Sequence, residues 1–186
     1  MAMIKRNPQY LKEQKKKYIF YTFILLVLML SNYVFGLWLT KTSKNIFTIV
    51  SVFFILGVAQ MSARLVVYLP YKDPQKDWLD QFKDLPESYI LWNSALITNG
   101  QKNAYFDSLL ISNSKIYCLK QIMPSKSEQL ETIIISIFEK RGLEDSLEFI
   151  YGNQKVSSLI SQLKKKQCTN ISQQKEFIRI IRMYSL

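Results

Sequence analysis

Apolar residues fill two long uncharged runs early in the sequence, and beyond position 70 the pattern breaks into short alternating and helix-periodic segments. The first run, residues 18–39 (YIFYTFILLVLMLSNYVFGLWL), carries no charge. At about 1.5 Å per residue it makes roughly 33 Å of helix, enough to cross a hydrocarbon core of about 30 Å. The second run, residues 45–69, is uncharged as far as Ala63 and continues past Arg64 as LVVYL. Only residues 40–44 separate the two, so the pattern predicts a transmembrane helical hairpin over 18–69. A cleaved signal peptide is the competing reading of the first run, but its apolar core is too long and no A-x-A site follows it.

Past the hairpin, residues 70–88 form an amphipathic linker that opens with Pro70 and Pro74 and places Trp78, Leu79, Phe82 and Leu85 on one face. Asp77 is its candidate cap, Pro86 ends it, and it is expected to pack on the domain that follows. Residues 89–186 predict that domain. Residues 89–98, then Asn99-Gly100, then 105–112, then Asn113-Ser114, then 115–122 read as a three-stranded meander. Ser125 and Glu128 have capping-box spacing before a helix carrying Leu130, Ile133, Ile134, Ile137 and Phe138, which Gly142 stops. Residues 146–151 make a fourth strand. Val156, Leu159, Ile160 and Leu163 mark a second helix with Lys164-Lys165-Lys166 at its end. A last helix, capped near Ser172, carries Phe177, Ile180, Ile181 and Tyr184. The expected fold is therefore an N-terminal transmembrane α-hairpin plus a cytoplasmic α/β (α+β) domain, its mixed sheet of about four strands in the order β-β-β-α-β-α-α.

Charge sets the orientation. The chain of 186 residues has 25 Lys+Arg against 14 Asp+Glu, a formal net charge of +11. Lys5, Arg6, Lys12, Lys15, Lys16 and Lys17 precede the first run, whereas only Lys41 and Lys44 lie in the turn; Arg64, Lys72 and Lys76 follow the second. The positive-inside rule puts both flanks in the cytoplasm. Residues 1–17 then read as a basic cytoplasmic tail beside anionic lipid, and the lipid bilayer is the first partner. Nucleic-acid tethering by this tail is the sharper alternative. Tyr18, Tyr21, Trp38, Tyr68 and Tyr71 fall where interfacial aromatics belong. Within the runs the polar groups are few: Asn32, Gln60, Ser62 and Arg64. Arg64 lies near enough to the cytoplasmic end to snorkel, the others are expected to join the helices, and Ala59 and Ala63 offer a small-residue contact face.

Composition excludes several chemistries. There is no His, which removes Ser-His-Asp and Cys-His catalysis and His-ligated metals. Cys118 and Cys168 are too few for a cysteine zinc site and are expected to be free thiols, Cys168 the more exposed. Five Gly, with neither GxxxxGK nor GxGxxG, leave no phosphate-cradling loop, and no cofactor is implied.

One constellation remains. A two-residue turn at Asn113-Ser114 pairs 111 with 116, 109 with 118 and 107 with 120, setting Asp107 opposite Lys120 on the face of Cys118. The stretch Phe106-Asp107-Ser108-Leu109-Leu110-Ile111, a turn, and Ile116-Tyr117-Cys118-Leu119-Lys120, with a helix after it, resembles the core of nuclease-related, PD-(D/E)xK domains over about thirty residues. The resemblance implies a metal-dependent nuclease in which Asp107 is the first metal ligand and Lys120 assists the attacking water. The second ligand's place holds Cys118, a soft thiol with little affinity for Mg²⁺; a carboxylate would have to come from the next helix, through Glu128 or Glu131. On the residues alone, the stronger account is that Asp107–Lys120 is a cross-strand ion pair and that the glutamates favour a helix N-terminus. The layout is also similar to uncharacterised two-helix membrane proteins of low-GC Gram-positive bacteria, which implies a bacterial cell membrane; twenty Lys to five Arg agree. With no complete catalytic set, the expected function is that of a non-enzymatic two-pass membrane protein whose cytoplasmic domain scaffolds or recruits a protein partner.

Overall fold

The computed structural model describes residues 2–164 and 171–186, the side chains of 171 and 172 aside. It divides into two compact units, Leu11–Lys72 and the combination of Met1–Tyr10 with Asp73–Leu186. Cys168, Lys165 and Lys166 lie outside the described residues, as does the side chain of the expected cap Ser172.

The first unit is a hairpin of α1 (Tyr10–Thr40) and α2 (Ile46–Tyr68). Both helices are long and apolar enough to cross a membrane, and only 6% of the most apolar stretch of each is buried. A core helix of a soluble protein would be mostly enclosed; here apolar side chains face outward all round. Asn45 caps α2 by accepting from the Thr48 N–H at 2.9 Å. Asn32 joins the helices, donating to the Phe47 carbonyl at 2.8 Å and to Ser51 Oγ at 2.9 Å. At the far end Tyr18 stacks on Tyr68, ring centroids 5.6 Å apart. The small-residue contact differs from expectation. Ala59 and Ala63 are exposed, and the close approach is made by Gly36, where an added Cβ would lie 2.5 Å from Phe47 Cβ. Asn32 and Gly36 share one face of α1, and that face, not the alanine spacing, decides which side of α2 it meets.

The second unit is a three-layer α/β/α domain. Its sheet has five strands in the order β1-β2-β3-β4-β5: β1 (Met3–Arg6), β2 (Ile90–Thr98), β3 (Asn103–Ile111), β4 (Ile116–Lys120) and β5 (Leu147–Tyr151). The meander β2-β3-β4 is antiparallel, while β1 runs parallel to β2 and β5 parallel to β4. Four strands were expected; the fifth comes from the basic tail. β1 adds to the sheet edge through Met3 N donating to the Tyr89 carbonyl at 2.8 Å. The two hairpin helices are thus the connection between the parallel strands β1 and β2, and the domain is built from both sides of the hairpin.

One face of the sheet is covered by α4 (Ser127–Glu139) and α6 (Ile171–Tyr184), which bury Ile134, Ile137, Phe138, Phe177 and Ile180 against Phe106, Leu109 and Cys118. The other is covered by α3 (Lys76–Asp80) and α5 (Asn153–Leu163), where Trp78, Phe82, Leu85, Val156 and Ile160 pack on Leu91, Leu110 and Leu119. The amphipathic linker therefore packs on the domain, its cap position taken by Gln75 rather than Asp77. The capping box at Ser125 does not form: Lys126 holds the cap position of α4 with no side-chain bond. The Asn99-Gly100 hairpin is a four-residue loop in which Asn99 Oδ1 accepts from the Gln101 and Lys102 N–H groups.

Candidate functional site

The two central strands switch faces at the same level. In β2 the core on the α4/α6 side receives Ile90 and Trp92, then Ala95 and Ile97; in β3 it receives Ala104 and Phe106, then Leu109 and Ile111. A regular strand alternates with period two, so each has slipped by one position, β2 between Trp92 and Ala95 and β3 between Phe106 and Leu109. Ser94 sits at this step with φ +50°, a left-handed conformation that costs a non-glycine residue free energy and persists only where neighbours hold it. Pairing is regular on either side, Asn93 with Ser108 and Ala95 with Phe106.

The step buries polar groups that an uninterrupted strand would not. Asn93, Ser94 and Ser108 are all 0% exposed. Trp78 Nε1 donates to Ser108 Oγ at 3.0 Å, and Ser108 Oγ donates to Asn93 Oδ1 at 3.0 Å. Asn93 Nδ2 reaches the Arg6 carbonyl at 3.4 Å. Ser94 Oγ donates to Asp73 Oδ1 at 2.6 Å. Every link answers a buried donor or acceptor, as a low-dielectric interior requires.

Asp107 and Lys120 lie beside this chain. The β3–β4 register is the expected one, 111 with 116 and 109 with 118. The ion pair is not formed. Asp107 Oδ2 accepts from the Gln121 N–H at 2.7 Å, and Lys120 Nζ donates to the Tyr105 carbonyl at 3.1 Å, 5.3 Å from the centre of the Tyr105 ring. Burial holds the Lys120 ammonium below the usual lysine value, against the pull of Asp107. Burial pushes the Tyr105 hydroxyl up, and the Asp107 carboxylate, hydrogen-bonded to it, adds to the shift, as more weakly does Asp73. Two carboxylates, Asp107 and Asp73, thus act on one buried phenol.

Glu131 is engaged elsewhere. Its Oε1 accepts from the Tyr151 hydroxyl at 2.8 Å, joining α4 to β5. Cys118, fully buried, has its thiol pushed well up by burial and then by Glu131, the opposite of what a thiolate ligand or nucleophile needs. Glu128 falls in the first turn of α4, where its charge favours the helix. Among the described residues, no group of three or more Cys, Asp or Glu side chains is placed to hold a metal ion.

Asp73, Ser94 and Tyr105 were not candidates from sequence. Their signal was the polar pair Asn93-Ser94 inside the apolar run YILWNSALIT, which marks a break in strand alternation. No family model matches the chain, and no curated protein or solved structure matches it.

Proposed function

We propose that this is a two-pass membrane protein, both flanks of its hairpin in the cytoplasm, whose α/β domain scaffolds a protein partner at a bacterial cell membrane and does no catalysis of its own. The observation that carries this reading is the insertion of the apolar hairpin between two paired strands of one sheet. A partner docked on such a domain is tied to the bilayer through two chain connections. The residues that resemble a nuclease core support the same reading, because Asp107 holds the end of β4 and Glu131 joins α4 to β5. The test uses the full chain in lipid nanodiscs. A partner co-purifying in stoichiometric amount, with no Mg²⁺- or Mn²⁺-dependent cleavage of DNA or RNA, is the expected result. Metal-dependent cleavage lost in both Asp107→Ala and Lys120→Ala would overturn it.

A membrane-tethered, metal-dependent nuclease-like enzyme is the second reading. It is favoured by Asp73, which Ser94 holds at 2.6 Å and whose charge reaches Tyr105, so that a second carboxylate besides Asp107 acts on this phenol. Cleavage lost in Asp73→Asn as well as Asp107→Asn is its signature.

A further inference from the structure

A second polar feature lies on the same domain, away from the β2–β3 step. Lys5, Arg6, Tyr10, Trp92, Arg182 and Ser185 line an open groove of about 380 Å³. Three of these side chains are cationic and no lining side chain is acidic, while the Leu186 main-chain oxygen, also in the lining, accepts from Arg6 and from the Tyr10 hydroxyl. Arg6 is held rigidly: Nη1 donates to the Ser94 carbonyl at 3.2 Å, Nη2 to the main-chain oxygen of Leu186 at 2.7 Å, and its guanidinium lies 3.7 Å from the Tyr10 ring centre. A second observation points the same way. Trp92 is only 6% exposed, and its Nε1 is buried without a hydrogen-bond partner, as is Ser185 Oγ. A buried indole N–H without an acceptor is destabilising, so such donors are ordinarily matched.

We infer that this groove is a binding site for a phosphate-bearing anion, with Lys5 and Arg182 as its mobile cations, Arg6 as its preorganised positive wall and Trp92 as a donor that the bound oxygen satisfies. Arginine and lysine beside neutral N–H and O–H donors form the chemistry that recognises phosphate oxygens. The anion comes either from a soluble phosphate or from a phospholipid headgroup, whose recognition chemistry is the same. The inference stands apart from partner scaffolding, since it concerns another set of residues.

The test is titration of the full chain in zwitterionic phosphatidylcholine nanodiscs, followed by the ¹⁵N–¹H indole resonance of Trp92, assigned by its loss in Trp92→Phe. One arm adds inorganic phosphate and pyrophosphate; the other adds soluble dihexanoyl phosphatidic acid. Saturable movement of the Trp92 resonance in either arm is expected, and the arm that responds identifies the source. Lys5 and Arg182 are exposed, so Lys5→Gln with Arg182→Gln leaves the fold intact and weakens binding about tenfold or more. No saturable shift in either arm up to about 10 mM ligand, or an affinity unchanged in the double variant, would overturn the assignment.

Discussion

Arg6 donates to the main-chain oxygen of Leu186 at 2.7 Å, bridging positions 180 residues apart in the chain. The same guanidinium reaches the Ser94 carbonyl at 3.2 Å, so one side chain binds the strand before the hairpin, the step in β2 and the segment after α6. Charge-assisted hydrogen bonds of this kind contribute about 1.5–3 kcal/mol each when partly buried. Arg6→Ala is expected to lower unfolding stability of the domain by about 2–4 kcal/mol. Arg6→Lys, which keeps the charge but not the fork, should recover less than half of that. Chemical denaturation in detergent, followed by Trp fluorescence, measures both.

The position of the hairpin between β1 and β2 has a direct consequence for truncation. A fragment beginning at Asp73 lacks β1 and exposes the β2 edge, which invites aggregation. Replacing residues 11–72 by a flexible Gly/Ser linker, with residues 2–10 retained, is expected to give a soluble folded domain. Hydrogen exchange reads the difference: the Leu91 amide, which faces β1, should be protected with β1 present and exchange faster without it.

Within the hairpin, Gly36 and Gly57 are expected to differ in tolerance. A Cβ at Gly36 would lie 2.5 Å from Phe47 Cβ, whereas at Gly57 the nearest atom is Leu25 Cδ1 at 3.4 Å. Gly36→Ala forces the helices apart and should lower thermal stability in detergent by several degrees, and Gly57→Ala should be nearly neutral. Equal effects at the two sites would contradict the packing seen here.

Tyr105 makes domain stability depend on alkaline pH. Its folded-state pKa is raised above the ordinary value of 10.0, chiefly by burial. Above pH 10 the unfolded chain releases the phenolic proton and the folded one keeps it, so unfolding is favoured as pH rises. The contribution is intact below pH 10 and falls by about 1.4 kcal/mol per pH unit above it. Lys120, whose pKa is lowered, works in the opposite sense over its own range. Comparing the protein with Tyr105→Phe removes that background: the stability gap between them should move in favour of the Phe variant above pH 10.

Asp107 and Lys120 are expected to behave as structural residues. Asp107→Ala leaves the Gln121 N–H without its acceptor and removes the partner of the Tyr105 hydroxyl, a loss of about 1–3 kcal/mol. Lys120→Met removes a half-buried charge while keeping the aliphatic stem, and should be near neutral. Denaturation midpoints of the two variants check the contrast.

Local pattern was enough for much of this. Two long apolar runs with a short polar turn predict a hairpin because two helices joined by so few residues must run back along each other. Apolar runs and turn residues place β2, β3, β4 and β5 within a few positions of where they occur, because each run is bounded by local turn chemistry. The β3–β4 register follows from the two-residue turn at Asn113-Ser114. The candidate site was legible only in part: Asp107 and Lys120 were found as cross-strand neighbours, but what each binds was not.

Tertiary structure decided the rest. β1 is the four residues MIKR, which bury almost nothing themselves and become a strand only because β2 offers an open edge. The bonds of Asp107, Glu131 and Arg6 depend on groups such as Tyr105, Tyr151 and Leu186 that periodicity cannot bring together. Ser94 takes its left-handed backbone, and Asp73 its place beside it, from the packing of two strands against helices on both sides. A pattern along the chain reports which face of an element meets water; only the closed fold reports which polar group waits on the other side.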